Sequence, residues 1–275
     1  MPILFGVLAS IGIGVSDYFG RYCTRRSNAT TTVLTALLAG VALAAALTLV
    51  VPGERLGRDL ALGAVSGLTV GFALMLMYRG LAVSSTAVVS PVVALFVALV
   101  PLLWDVARGA AFPVAVLGGA VLAVAGIVAT TISPDLDGRV GAGLLLAVGS
   151  GLLFGVTMTT VGETSLDSGV WPAVGQRGVA WLTLLAFGTA KSLPRVLPRP
   201  LLWCGILSGA AGAMGMAMFI LGAQRGALGP VAVASSMFPA VTAMLAYLFD
   251  DDDLRWWQGL GIGAALAGVG LIAAG

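Results

Sequence analysis

About ten apolar stretches, each close to the length that crosses a bilayer, follow one another along this chain with only short connections between them. They lie near residues 2–21, 31–51, 60–81, 85–104, 113–132, 140–160, 169–190, 200–223, 230–249 and 256–274. A span needs about 20 apolar residues and, with no water to bond its backbone, must be helical. The pattern therefore predicts an all-α integral membrane protein of about ten transmembrane helices, with no soluble domain inserted.

Composition agrees. The chain is 59% hydrophobic and 9% charged, against roughly a quarter charged in soluble domains. A net charge of +2 excludes an extended basic surface for nucleic acid. With no histidine, the commonest metal ligand and general base is missing, so neither a metal nor another cofactor is expected. Cys23 and Cys204 stand alone without CxxC spacing and imply neither a zinc site nor a disulfide framework. The first residues carry no basic stretch or small-residue cleavage site, so the opening helix is expected to be retained.

The chain also repeats its own layout. A turn, Ser133-Pro134-Asp135-Leu136-Asp137-Gly138, divides it into residues 1–134 and 139–275 with five spans on each side. An odd number of spans per half sends the halves into the membrane from opposite sides, the geometry of inverted repeats. Residues 85–131 and 229–275 align without gaps, Gly119-Ala120 falling on Gly263-Ala264 and Gly126 on Gly270. The acidic run Asp250–Asp253 is a solvated break between the last two spans. Gly14-x-Ser16 can be set against Gly155-x-Thr157. Small residues at fourfold spacing (Gly63, Gly67 and Gly71; Gly205 and Gly209; Gly259 and Gly263) predict close helix crossings, and the closing helix with Gly259, Gly263 and Gly270 reads as packing scaffold. Most Lys and Arg residues fall on the side opposite the N-terminus, which by the positive-inside rule places that terminus outside.

Charges inside spans are costly and are the first functional candidates. Arg177, beside Gln176, falls near the middle of the seventh span; it either clamps the carboxylate of an anionic or zwitterionic solute or forms a structural ion pair, with Asp17 as one partner. Asp17 lies well inside the first span and can carry a proton, or pair with Arg21 four residues on. Glu163 and Asp167, after the sixth span, read as solvated. Pro91 and Pro239 interrupt the fourth and ninth spans and are candidate hinges. Ser90, Ser235 and Ser236 precede them and can bond freed carbonyls or a solute. Tyr78 and Gln224, near span ends, are weaker cavity candidates.

The segment from Gly226 to Gly275 resembles the EamA-like branch of the drug/metabolite transporter superfamily. Gly229-Pro230, Pro239, Gln258 and Gly268 or Gly270 occupy the roles of its recurring positions, and the first half repeats the pattern from Tyr78 to Val106. Arg177 resembles an arginine frequent in the second helix of each family repeat. The acidic break departs from the family's Gly-Glu. The resemblance implies ten helices with both termini cytoplasmic, against the charge bias, in a prokaryotic-type inner membrane. It further implies a secondary transporter of small organic solutes, a metabolite or amino-acid exporter, working by alternating access. Protons are a candidate coupling ion, and the protein is expected as a monomer or homodimer. The alternatives are a membrane enzyme on lipid-linked substrates, for which only Asp250–Asp253 offers clustered acids, or a non-transporting scaffold.

Overall fold

The computed structural model describes residues 1–84, 86–131, 140–249 and 256–274, and no strand occurs among them. The first half holds α1 (Pro2–Arg26), α2 (Ala29–Leu47), α3 (Gly57–Val83), α4 (Thr86–Ala107) and α5 (Val114–Thr131). The second holds α6 (Val140–Gly162), α7 (Trp171–Ala190), α8 (Leu202–Ala223), α9 (Leu228–Ser235), α10 (Phe238–Phe249) and α11 (Trp256–Ala274). The midpoint turn and the Asp250–Asp253 run lie outside the described residues.

By length and composition, six stretches among the described residues are long and apolar enough to cross a membrane: Pro2–Arg26, Ala29–Leu47, Gly57–Val83, Gly141–Gly162, Arg199–Ala223 and Leu228–Phe249. Val92–Ala107, Val114–Gly126 and Gly259–Ile272 are shorter apolar helices. The bundle turns large apolar side chains outward, among them Leu4, Leu38, Val121, Leu145, Leu182 and Leu260. Its interior carries polar ones, including Asp17, Gln176 and Arg177. That distribution suits a lipid surround.

Local chemistry sets several helix ends. The Asn28 side chain accepts from the Thr31 amide at 2.9 Å and starts α2, while Pro172 sits in the first turn of α7, where no helical N–H is lost. The apolar run 230–249, expected as one helix, is divided between α9 and α10 just before Pro239. The proline has no N–H to give the Ser235 carbonyl, and its ring crowds that carbonyl. The Ser235 and Ser236 hydroxyls turn back onto the carbonyls of Ala232 and Val233, at 2.9 and 2.8 Å. In contrast, α4 runs unbroken through both Pro91 and Pro101.

The helices meet through glycine. On α3, Gly63 and Gly67 lie against the backbone carbonyls of Pro172 and Gln176 on α7; on α8, Gly209 lies against the Ala36 carbonyl of α2. Gly12 of α1 faces Gly215 of α8 backbone to backbone. The closing helix departs from expectation: Gly259, Gly263 and Gly270 face open space, and α11 meets α5 instead through Gly268 opposite Gly119 and Ala123. Fourfold spacing marks a flat helix face but not which face is covered.

A second correction concerns the cysteines. Cys23, near the end of α1, and Cys204, at the start of α8, are joined in a disulfide across 181 residues of sequence, with Cα atoms 6.3 Å apart. Lone cysteines carry no pairing signal in sequence; the close α1–α8 crossing brings these two together.

Gly67→Val drives a side chain into the Gln176 carbonyl and is expected to cost about 1–3 kcal/mol, the usual range for overpacking. Gly259→Val faces open space and is expected to change nothing. Thermal unfolding in detergent compares the two, and equal melting temperatures would contradict this packing.

Candidate functional site

An internal cavity lies where helices of both halves cross. Its walls are apolar: Val70, Leu74 and Met77 of α3, Val93 and Val97 of α4, Phe154 and Met158 of α6, Met216 of α8 and Phe238 of α10. Into this wall project two charged side chains, Asp17 from α1 and Arg177 from α7, only 5% and 6% exposed. The open space is about 40 Å³, room for little more than a few waters. A solute of metabolite size can occupy it only after the lining helices move.

Arg177 is held on one side only. One terminal nitrogen donates to the Gly212 carbonyl of α8 at 2.6 Å, while Nε is buried with no partner. No ion pair among the described residues involves Arg177, so neither the expected pairing with Asp17 nor any other neutralises it. Burying a guanidinium without a counter-charge costs several kcal/mol, far more than one carbonyl contact returns. The guanidinium thus keeps a donor that no described residue uses.

Asp17 sits beside a hydroxyl cluster that fixes its helix. Ser208 of α8 donates to the Ser16 carbonyl at 2.9 Å, and the Ser16 and Tyr78 hydroxyls each lie 3.4 Å from the Ser208 oxygen. Because Ser208 has spent its proton on the carbonyl, Ser16 and Tyr78 are the donors. Thr242 of α10 donates to the Gly14 carbonyl at 3.1 Å. Thus α1 is tied to α3, α8 and α10 immediately around Asp17.

The remaining sequence candidates lie outside the cavity lining. Gln176 turns to α3, donating to the Ser66 hydroxyl at 3.1 Å. Tyr78 is spent on Ser208, its ring tip seated against Gly20. Ser90 is buried within α4, and Ser235 and Ser236 are occupied by their own helix. Pro239 follows the α9–α10 break, next to the cavity residue Phe238. Gln224 lies at the end of α8, its amide nitrogen donating to Thr164, Ser168 and Gly169. Glu163, expected to be solvated, is partly exposed and also bonds Trp104 and Arg108. Ser16, Ser208 and Gly212 carry no mark of a site role in the sequence, because such small residues take their role from which helices cross.

Residues 141–274 match the model of the EamA-like transporter family. This half of the chain belongs to that family. The EamA-like half includes Phe154, Met158, Arg177, Gly212, Met216 and Phe238, and so contributes much of the cavity. A solved structure described simply as the crystal structure of a protein shares the fold, with a TM-score of 0.76 at 16% identity, covering 99% of this chain and 96% of the other. At that identity the likeness carries the fold alone. No curated protein matches the sequence.

Replacing an unpaired buried charge by an apolar side chain of similar size is commonly neutral or stabilising. Arg177→Met is therefore expected to melt no lower than the parent in detergent. A fall of many degrees would show instead that Arg177 is a structural strut.

Proposed function

We propose that the chain is a secondary transporter of small organic solutes, of the metabolite or amino-acid exporter type, and that it works by alternating access through the central cavity. The observation that carries this reading is the cavity itself: a buried arginine with an unused donor and a buried carboxylate face one apolar space at the junction of the two halves. Such a site suits a zwitterion with an apolar body. Arg177 would take the carboxylate, Asp17 the ammonium group or a coupling proton, and the Met, Leu, Val and Phe wall the rest. Membership of the second half in a transporter family supports the same reading.

In this reading residues 1–134 and 139–275 are two inverted five-helix repeats, with α9 and α10 together as one span. Paired contacts support it. Gly14 of α1 abuts Val241 and the Phe238 carbonyl of α10; Gly155 of α6 abuts Val100 and the Phe96 carbonyl of α4. Two residues on, Ser16 lies 3.4 Å from the Ser208 hydroxyl of α8, and Thr157 lies 2.7 Å from the Thr69 hydroxyl of α3. Exchanging α1 with α6, α3 with α8 and α4 with α10 turns one set into the other. The charges do not follow this exchange: Asp17 then corresponds to Met158, and Arg177, next to Gln176, corresponds to Leu37, next to Ala36. A shared scaffold with unshared charges is what a specific site on a repeated fold requires. The hinge is Pro239, where α10 begins after the break from α9; Pro91 lies within the unbroken α4, at the position that aligns with Ser235 rather than with Pro239.

The disulfide bears on orientation. Such bonds persist in oxidising compartments, and this one lies at the end of α1 away from the N-terminus. It supports an N-terminus facing the cytoplasm, against the charge bias.

Two measurements test the reading. Liposomes carrying the protein are expected to show solute flux under an imposed gradient, with Arg177→Met lowering it by tenfold or more, about 1.4 kcal/mol of lost binding; absence of flux under every gradient contradicts transport. With Asp17→Asn, flux is expected to lose its response to an imposed pH gradient, and an unchanged response removes Asp17 as the proton carrier.

A further inference from the structure

On the N-terminal side of the cavity the helix ends are tied by a network of polar contacts that the solute site does not use. Glu163, at the end of α6, accepts from the Trp104 indole at 2.9 Å and pairs with Arg108, both at the end of α4. Its backbone carbonyl accepts from Arg58 at 3.2 Å. Asp59, buried at the start of α3, accepts from the Ser165 amide at 2.7 Å, and Asp105 accepts from the Gly229 amide that opens α9, also at 2.7 Å. Gln224 holds the same α6–α7 linker from the end of α8.

The Glu163 side-chain links join the ends of α4 and α6, both of which line the cavity. Asp105 and Gln224 reach from the ends of cavity-lining α4 and α8 to α9 and to the α6–α7 linker. On α6, Glu163 lies about 7.5 Å beyond Met158 along the axis; on α8, Gln224 lies about 12 Å beyond Met216; on α4, Asp105 lies about 12 Å beyond Val97. Apart from those of Gln224, which stay within the second half, the contacts run between halves: α3 and α4 on one side, the α6–α7 linker and α9 on the other. A path from the cavity to this face must pass between those ends. Exposed ion pairs and single hydrogen bonds are individually weak, which suits contacts that break and re-form in each cycle.

We propose that this network, centred on Glu163 with Arg108 and Trp104, is the closed gate on the N-terminal face, and that opening toward that face requires its release. The proposal rests on the transporter reading above. The two native cysteines are bonded to each other, so an introduced one is the sole free thiol. Met158→Cys, in the cavity wall nearest the network, reports opening when a charged, membrane-impermeant thiosulfonate is applied to vesicles from one face at a time.

In the Met158→Cys background, Arg108→Gln with Glu163→Gln is expected to raise the modification rate from the N-terminal face by about fivefold or more, and Trp104→Phe by a smaller factor. Modification from the other face should stay level or fall. If the double variant does not fold, Trp104→Phe alone decides. Unchanged rates from the N-terminal face overturn the gate, as does an equal rise from both faces, which would mean general loosening. The labelling needs no substrate, so the gate can fail while liposome flux stands, and flux can fail while the gate still opens.

Discussion

Backbone-to-backbone contact at glycine is the constraint on which the rest of this structure depends. In lipid there is little hydrophobic force between helices, so association relies on close packing and on polar contacts made at short range. Gly67 against Gln176, Gly209 against Ala36 and Gly12 against Gly215 let α3, α2 and α1 lie against α7 and α8 with no side chain between them. That closeness lets Ser208 reach the Ser16 carbonyl and Arg177 the Gly212 carbonyl. It also carries α1 alongside α8 to the point where Cys23 meets Cys204. A bulkier crossing at any of these places would separate the donors from their acceptors and open the cavity walls.

On this scaffold two kinds of polar group have different fates. The hydroxyls of Ser16, Tyr78, Ser208, Ser235, Ser236 and Thr242 are satisfied locally, by a carbonyl of their own helix or by a partner on the next, and those that reach across hold helices in register. The charged groups at the centre are not: Arg177 keeps an unpartnered nitrogen, and no ion pair among the described residues joins it to Asp17. At the N-terminal face the charges are paired instead, Arg108 with Glu163 and Arg58 with Asp59. Paired charges at the end of the bundle and an unpaired arginine in its centre are the arrangement on which the proposed gate and the proposed binding site rest.

Much of the helical layout was legible in the sequence, because apolar runs of span length admit one backbone solution in lipid. The boundaries of α6 and α11 differ from the reading by a few residues at most. Arg177 and Asp17 were legible as candidates, and as possible partners, because charge within a span is costly; the crossing of α1, α7 and α8 brings them to one cavity without joining them in an ion pair. The stripe Gly63 and Gly67 packs as its spacing suggested, whereas Gly259 and Gly263 of the same spacing face outward, since periodicity says nothing of which face is buried. Glu163 looked solvated because it follows a span, yet its partners Trp104 and Arg108 stand more than fifty residues earlier. The disulfide was hidden for the same reason: two residues 181 apart share no local pattern.

The central claim is that Arg177, left partly unbonded by the protein, binds a solute's anionic group in the cavity. A thermal-shift screen of zwitterionic and anionic metabolites in detergent addresses it most directly, since a ligand at 100 times its Kd stabilises the folded state by about 2.7 kcal/mol. The account predicts at least one solute with both an anionic group and an apolar body that raises the melting temperature of the parent and leaves Arg177→Met unmoved. The same shift in both proteins would contradict it.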